Sequence, residues 1–173
     1  MADLFIDKMK AALSGGGARS NYFEIEIPGL TVEENILVKA ASLPASIINP
    51  IEVNFRGRKL QIAGDRTFEP WTITVVNDTN ASIRNKMETW MQQINAHVSN
   101  VSANDNPASY MQDAQVHQLD RQGNQVKTYE FKGIWPSNVA AIDVSYDNEN
   151  TIEEFTVEFQ VTYWQSANSN TNS

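Results

Sequence analysis

The chain has 173 residues, a formal net charge of −8 and 41% hydrophobic residues. This is the composition of one ordinary globular domain, long enough to bury about two-thirds of its unfolded surface. The absence of cysteine excludes a disulfide framework, a thiolate metal site and a cysteine nucleophile. No stretch approaches the roughly 20 apolar residues that span a bilayer, so we expect no stable membrane association.

The negative charge is concentrated toward the C-terminal end of the sequence. Residues 133–173 hold six carboxylates and no lysine or arginine, whereas residues 1–132 hold 15 acids and 13 bases. A surface that grips nucleic acid needs clustered bases, which this distribution argues against. Composition alone favours an acidic face kept for solubility, with an acidic surface for a partner as the alternative.

The first predicted element is a short amphipathic helix over residues 3–13, with Leu4, Phe5, Met9 and Leu13 on one face. A helix of this length is marginal unless it lies on another surface. Gly15-Gly16-Gly17 follows it and forms a flexible hinge. We predict that residues 1–19 are an assembly arm that reaches a neighbouring subunit, with a disordered terminus as the alternative.

The next part of the chain is predicted to form β-strands over residues 21–27, 35–41, 47–55 and 58–62. Arg56-Gly57 between the last two is a hairpin signal. Ile51, Val53 and Phe55 share one face of an apolar edge strand, which something must cover. The basic patch Arg56, Arg58 and Lys59 suits an acidic surface on another copy of the chain, so these six residues are candidate contacts between subunits or rings.

A turn is predicted at Gly64-Asp65, before a strand that places Trp71, Ile73 and Val75 on one face. Arg66 is the single cation between Asp65 and Glu69. A guanidinium there can hold a carboxylate by paired hydrogen bonds. We interpret Asp65, Arg66 and Glu69 as a structural clamp of the turn, with a binding site as the less favoured alternative.

One long helix is predicted over residues 79–97, with an apolar stripe that packs on the sheet: Ile83, Met87, Trp90, Met91, Ile94 and Val98. Further strands are predicted over residues 110–119, 125–132, 140–146 and 152–164, with a break at 133–136 and a disordered polar tail over 165–173. His97 and His117 have no acidic cluster beside them, so we expect neither a metal site nor a catalytic triad. The pattern favours an antiparallel β-sandwich or barrel with one helix packed on it.

Four stretches of the sequence together resemble the tail tube proteins of T-even-type contractile-tailed bacteriophages. They are residues 64–68 (GDRTF) with Trp71 and its strand, 41–44 (ASLP), 132–139 (KGIWPSNV) and 155–164. They occur in the same order and at similar spacing, so the resemblance covers residues 20–164. It identifies this range as a tail-tube β domain.

The resemblance implies a mainly β subunit whose strands join those of its neighbours into a ring-shaped barrel. In that family hexameric rings stack into a hollow tube inside a contractile sheath, and the tube conducts double-stranded DNA without binding it specifically. The implied partners are further copies of the chain, the sheath protein, and baseplate and terminator proteins. The implied location is the phage tail, assembled in the host cytoplasm. The family has no catalytic residues or cofactor, so we expect no enzymatic activity.

For such a conduit, Asp143, Glu149, Glu154 and Glu158 are candidate lumen-facing acids, because acidic walls repel the DNA backbone. The same face of the last strand is equally able to lie outside, against the sheath. Two alternatives of the same kind are a paralogous baseplate tube protein and the tube of an injection machine. A monomeric ligand-binding β-barrel with an apolar interior is an alternative from another class. An enzyme using Glu153 or Glu154 on carbohydrate is the least favoured.

Overall fold

The computed structural model describes residues 2–13, 17–102, 106–147 and 149–166, with side chains from residue 5 onward. The predicted mainly β architecture is confirmed. The helices are α1 (Ala2–Ala12), α2 (Val32–Ile36), α3 (Ser82–Ile94) and α4 (Pro107–Tyr110). The strands are β1 (Phe23–Glu26), β2 (Val38–Ala41), β3 (Ser46–Phe55), β4 (Arg58–Phe68), β5 (Trp71–Val76), β6 (Gln112–Leu119), β7 (Gln125–Val139), β8 (Glu154–Gln160) and β9 (Tyr163–Ser166).

Seven strands form one folded sheet in the order β1-β6-β7-β8-β5-β2, and β9 also pairs with β7. All pairs are antiparallel. The first part of β7 pairs with β6 and β9, and its last part, from Trp135 to Val139, pairs with β8. Strand β7 therefore belongs to both halves of the sheet, which enclose one core between them.

A bend at Gly133 lets β7 pass from one half of the sheet to the other. Gly133 has a φ of +62°, a conformation that glycine adopts without steric cost. The predicted break at residues 133–136 is therefore wrong, because the chain bends and continues as strand. The single strand predicted over residues 152–164 is also wrong: the chain leaves β8 at Val161-Thr162 and pairs again as β9, which follows the other side of the bend.

The core is built around Trp71, which β5 supplies. Its ring stacks on Phe131 of β7, with 4.4 Å between centroids, and contacts Phe159 of β8 at 5.5 Å. Helix α3 covers this cluster with Ile83, Met87 and Trp90, all buried. The predicted alternation of β5 and the role of the long helix as a cover are both confirmed, because burial follows periods of 2 and 3.6.

Helix α3 is shorter than the predicted helix over residues 79–97. Asp78 precedes it and accepts hydrogen bonds from the backbone N–H and the hydroxyl of Ser82, at 2.7 and 2.9 Å. The helix ends at Ile94, and Val98 lies beyond it, 99% exposed. Val98 was therefore wrongly included in the buried stripe.

Other elements also differ from the predictions. Thr31 and Glu34 form a capping box that starts α2, so the strand predicted over residues 35–41 begins only at Val38. The strand predicted over 140–146 is absent, and residues 140–147 form a loop. Strand β9 continues to Ser166, so the predicted tail is wrong at 165–166, and residues 167–173 lie outside the described residues.

Candidate assembly surfaces

Strands β3 and β4 form a separate two-stranded hairpin that stands away from the body of the domain. All ten residues of β3 are exposed. Arg56 and Gly57 have φ values of 46° and 80°, the pair of positive angles that a type I′ turn requires. The predicted hairpin and its turn are therefore confirmed, although β4 extends six residues beyond the predicted end at Ile62.

The two faces of this hairpin differ in chemistry. Cross-strand partners share a face, and the pairs Ile51–Ile62, Val53–Leu60 and Phe55–Arg58 lie on one of them. On the opposite face Lys59 Nζ donates to Glu52 Oε2 at 2.8 Å, and Gln61 Nε2 donates to Glu52 Oε1 at 2.9 Å. The charges of Glu52 and Lys59 on the polar face are thus paired with each other. The apolar face is uncovered and carries Arg58 at the tip of the hairpin.

Gly64 lies in β4 rather than in a turn, so the turn predicted at Gly64-Asp65 is wrong. The register of the hairpin shifts between Ile48 and Pro50, which leaves Asn49 opposite two residues of β4 in a β-bulge. A Cβ at Gly64 would lie 2.5 Å from the carbonyl oxygen of Asn49. The glycine in this motif therefore permits a close backbone approach at the bulge.

The predicted clamp is not formed within this subunit. Asp65, Arg66 and Glu69 are all exposed, and no ion pair or hydrogen bond joins their side chains in the described part of the chain. Arg66 lies opposite Ile48 in the register of the hairpin, and its guanidinium projects from a strand that has no other sheet beside it. A role for these three residues outside the subunit remains a prediction.

The base of the hairpin is attached to the domain by Trp164 of β9. Its indole Nε1 donates to the carbonyl oxygen of Ala45 at 3.1 Å, and its ring meets Phe68 edge-on at 6.3 Å. Trp164 thereby attaches the hairpin at the start of β3 and at the end of β4. The residues of β3 itself are all exposed.

Strands β2, β5, β8 and the last part of β7 form a four-stranded half-sheet with one polar, solvent-facing side. Thr72 pairs with Glu158 and Thr74 pairs with Thr156 on that side. Glu154 lies there too and forms an ion pair with Lys39 Nζ at 2.6 Å. Of the predicted lumen acids, Glu154 and Glu158 therefore share this face, and one of the two is neutralised within the subunit.

The other two predicted lumen acids, Asp143 and Glu149, lie in the loop between β7 and β8, which we call the acidic loop (residues 140–147 and 149–153). This loop holds four carboxylates and no base. It also carries the apolar side chains of Val144, Tyr146 and Ile152, each at least 69% exposed. The sequence prediction identified the charge of this loop and missed its apolar component, because residues 140–146 were assigned to a strand.

The four-stranded half-sheet has two edges without a strand beside them in the described part of the chain. One is β2, which pairs only with β5. The other is the last part of β7, because the pairing of β7 with β6 ends at Ile134. Such edges present unpaired N–H and C=O groups to any strand that approaches.

Three of the four predicted arm residues have exposed side chains: Phe5 and Met9 in helix α1, and Leu13 directly after it. The side chain of Leu4 lies outside the described residues, as do Gly15 and Gly16 of the hinge. The apolar face predicted for the arm is therefore present, and Phe5 remains 73% exposed beside the described residues.

The interior of the sheet is filled by Trp71, Phe131 and Phe159, all at most 1% exposed, which leaves no room for the ligand of a lipocalin-like barrel. A cleft of about 740 Å³ lies instead on the outside, between β1 and α2. Among the described residues no cluster of histidine and acidic side chains is arranged to hold a metal ion. His117 is buried and shares a hydrogen bond of 2.8 Å with Thr128 Oγ1.

The described helices include none long and apolar enough to cross a membrane.

The sequence matches the family model described as "Phage tail tube protein" over residues 9–167. The chain belongs to the phage tail tube protein family. It is 40% identical over 164 residues to tail tube protein gp19 of Enterobacteria phage T4, covering 94% of this chain and 100% of that protein. The tail tube protein of Serratia phage KSP90 is 29% identical over 171 residues, covering 93% and 95% of the two chains.

Solved structures show that this tail tube family member shares its fold with subunits of contractile injection systems. A chain in a cryo-EM structure of the anti-feeding prophage baseplate has a TM-score of 0.64 at 11% identity, covering 87% of this chain and 95% of that one. A chain in the sheath-tube complex of an extracellular contractile injection system in its extended state has a TM-score of 0.62, covering 87% and 90%. The resemblance read from the sequence is confirmed.

Proposed function

We propose that this protein is a structural virion protein that polymerises as stacked hexameric rings into the inner tube of a contractile phage tail. The observation that carries the proposal is the 40% identity to the T4 tail tube protein over nearly the whole chain, together with a half-sheet that has two unpaired edges. The tube is the conduit for genome ejection, its partners are the sheath, baseplate and terminator proteins, and it assembles in the host cytoplasm. The work of such a protein is mechanical, so no catalytic role is needed.

Ring closure uses the two free edges of the half-sheet. The edge of β2 in one copy faces the last part of β7 in the next, so that equivalent sheets continue around the ring. A head-to-tail contact of this kind forms a closed ring when the rotation that relates neighbouring copies is a whole fraction of a full turn. Closure leaves neither edge of the half-sheet exposed, which answers the aggregation hazard of these two edges.

The polar face of the same half-sheet lines the channel. It carries Thr72, Thr74, Thr156, Glu158 and the Lys39–Glu154 pair, so its fixed charge is negative but modest in each copy. A conduit must not hold its cargo, and each phosphate bound by a lysine or arginine would slow the passage of DNA. Asp143 and Glu149 add to the wall charge if the acidic loop turns inward.

The exposed apolar faces of α1 and of the hairpin contact other copies in the tube. Both expose large apolar side chains, and such surfaces are typical of contacts between protein subunits. A paralogous baseplate tube protein would share the same subunit fold, and the family match to a tail tube protein over residues 9–167 favours the tail tube.

Negative-stain electron microscopy of the purified protein tests the proposal. We expect rings or hollow tubes, with length increasing on addition of preassembled tail baseplates. The matched control is a variant that blocks the β2 edge, Ala41→Pro. The Ser42 N–H donates to the Thr72 carbonyl of β5, so the preceding Ala41 N–H faces the free edge, and proline removes that donor. This variant should remain folded by circular dichroism and form no rings. A monomeric species at every concentration, even with baseplates present, would contradict the proposal.

A further inference from the structure

The apolar face of the β3–β4 hairpin is left uncovered by the described part of the subunit. Ile51, Val53, Phe55, Leu60 and Ile62 lie on that face and are 43% to 69% exposed. Its charged member is Arg58 at the tip, opposite Phe55. Arg58 has no ion pair or hydrogen bond in the described part of the chain, whereas Lys59 on the other face is held by Glu52.

A partner for this face must therefore offer apolar side chains and an unpaired carboxylate close together. The acidic loop has both. Val144, Tyr146 and Ile152 are its exposed apolar residues, and Asp143, Asp147 and Glu149 are exposed acids without a side-chain ion pair among the described residues.

Other exposed apolar surfaces fit the hairpin less well. Helix α1 contains two acids and two bases, so it has no net charge to attract Arg58. The cleft beside Val32 and Ile36 is acidic at Glu24 and Glu26, but Lys39 also lines it. In the acidic loop no base competes for the carboxylates.

The hairpin and the acidic loop leave opposite ends of the same half-sheet. Ala41, at the end of β2, pairs with Ile73 near the start of β5, and the hairpin follows from there. The acidic loop enters β8 at Glu154, which pairs with Val76 at the end of β5, and the N–H of Asn77 donates to the Glu153 carbonyl at 2.9 Å. The ten-residue arms of the hairpin reach about 30 Å. Within one copy, the hairpin would have to cross the length of the half-sheet to reach the acidic loop. The acidic loop of a second copy placed end to end can receive the hairpin directly.

We propose that the hairpin of one copy docks on the acidic loop of another, with its apolar face on Val144, Tyr146 and Ile152 and with Arg58 paired to a carboxylate of Asp143, Asp147 or Glu149. This inference rests on the proposed self-assembly and names the surfaces that join successive copies. The contact is heterologous, because the two surfaces differ, so it repeats without limit along the strand direction and extends a stack. Charge pairing fixes the register, and the apolar area supplies most of the affinity.

Arg58→Gln tests the charge pairing, with Lys59→Gln as the matched control. The two residues are adjacent and each substitution removes one positive charge, but their side chains lie on opposite faces of the hairpin. We expect Arg58→Gln to raise the protein concentration at half-maximal assembly about tenfold, and Lys59→Gln to change it less than twofold, as measured by sedimentation of polymer. Equal effects of the two variants, or no effect of Arg58→Gln, would overturn the pairing.

Disulfide trapping tests the contact directly, because the chain has no cysteine of its own. Leu60→Cys protein is mixed with Val144→Cys protein under mild oxidation, and in parallel with Ile36→Cys protein. We expect a cross-linked heterodimer with Val144→Cys and none with Ile36→Cys. Cross-linking to Ile36→Cys instead, or to neither variant while tubes still form, would overturn the inference and leave the proposed tube intact. Failure of the wild-type protein to assemble at all would instead contradict the proposed function, and the inference with it.

Discussion

The hydroxyl of Thr162 donates a hydrogen bond to the carbonyl oxygen of Gly133 at 3.1 Å, and the Thr162 N–H donates to the carbonyl of Lys132 at 3.2 Å. These two bonds join the bend in β7 to the gap between β8 and β9. On the other side of the bend the Gly133 N–H donates to Asp113 Oδ1 at 3.0 Å. The point where the sheet folds over is therefore held from both sides.

Gly133→Ala should lower the free energy of unfolding by on the order of 2–3 kcal/mol. The φ of +62° is costly for any residue with a Cβ, and that Cβ would lie 2.6 Å from Thr162 Oγ1. Gly123→Ala is the control, because Gly123 also has a positive φ but no atom near its would-be Cβ. Urea denaturation should show a clearly smaller loss for the control, and similar losses would remove the role of the Thr162 contact.

Trp71→Phe should destabilise the subunit by about 2 kcal/mol, since it leaves a gap beside Phe131 and removes the hydrogen bond from the indole Nε1 to the Ser42 carbonyl. Trp164→Phe makes the same chemical change at the partly exposed base of the hairpin and should cost less than about 1 kcal/mol. Thermal unfolding of both variants measures the difference. A larger loss at Trp164 would mean that the hairpin anchor, and not the central cluster, limits stability.

Glu34→Gln should destabilise the subunit at neutral pH by about 1 kcal/mol or less. Hydrogen bonds to Glu34 from Lys86 Nζ and from the Thr31 N–H lower the pKa of Glu34 below its ordinary value. A lowered folded-state pKa gives stability that is full above the unfolded pKa and is lost as the pH falls through the folded one. Denaturation curves of variant and wild type should therefore converge in acid. Glu33→Gln, at the neighbouring exposed carboxylate, is the control and should cost less stability at neutral pH, because no hydrogen bond or ion pair is made by the Glu33 side chain among the described residues.

Arg66→Ala should change the stability of the isolated subunit by less than about 0.5 kcal/mol, since Arg66 is exposed and no bond joins it to Asp65 or Glu69 in the described residues. Arg84→Ala should cost more, because Arg84 bonds Glu88 at 2.9 Å and the Ala140 carbonyl at 3.1 Å. Calorimetry of the two variants compares them. A loss of 1–3 kcal/mol at Arg66 would reinstate the clamp that the sequence predicted.

Deleting residues 1–17 should leave the melting temperature of the subunit within a few degrees of the full chain while weakening polymerisation. The exposed side chains of Phe5, Met9 and Leu13 contribute no core packing in this subunit. Calorimetry and sedimentation measure the two properties separately. Loss of folding on deletion would place the arm in the core instead.

The sequence by itself determined those helices, strands and turns that keep the same structural neighbours along their whole length. Strand β5 alternates buried and exposed residues from Trp71 to Val76, helix α3 repeats its apolar side chains along one face, and Arg56-Gly57 specifies its own turn. These signals are local, because each residue's environment follows from its spacing to the next. The family could be recognised from the sequence for a similar reason, because its motifs occur in a fixed order and at fixed spacing along the chain.

The tertiary structure alone decided where strands exchange partners. Gly133 was predicted to be a break and is a bend. The single alternation predicted over residues 152–164 does not continue across the gap, because β8 buries Phe155, Val157 and Phe159, whereas in β9 Tyr163 is exposed and Ser166 is buried. Gly64 was predicted to be a turn, yet it lies in a bulge set by Asn49 across the hairpin. The wrong predictions at Arg66 and at residues 140–146 have the same cause. Whether a charged side chain finds a partner, or a segment pairs as a strand, depends on residues distant in sequence, and a period along one strand carries no information about them.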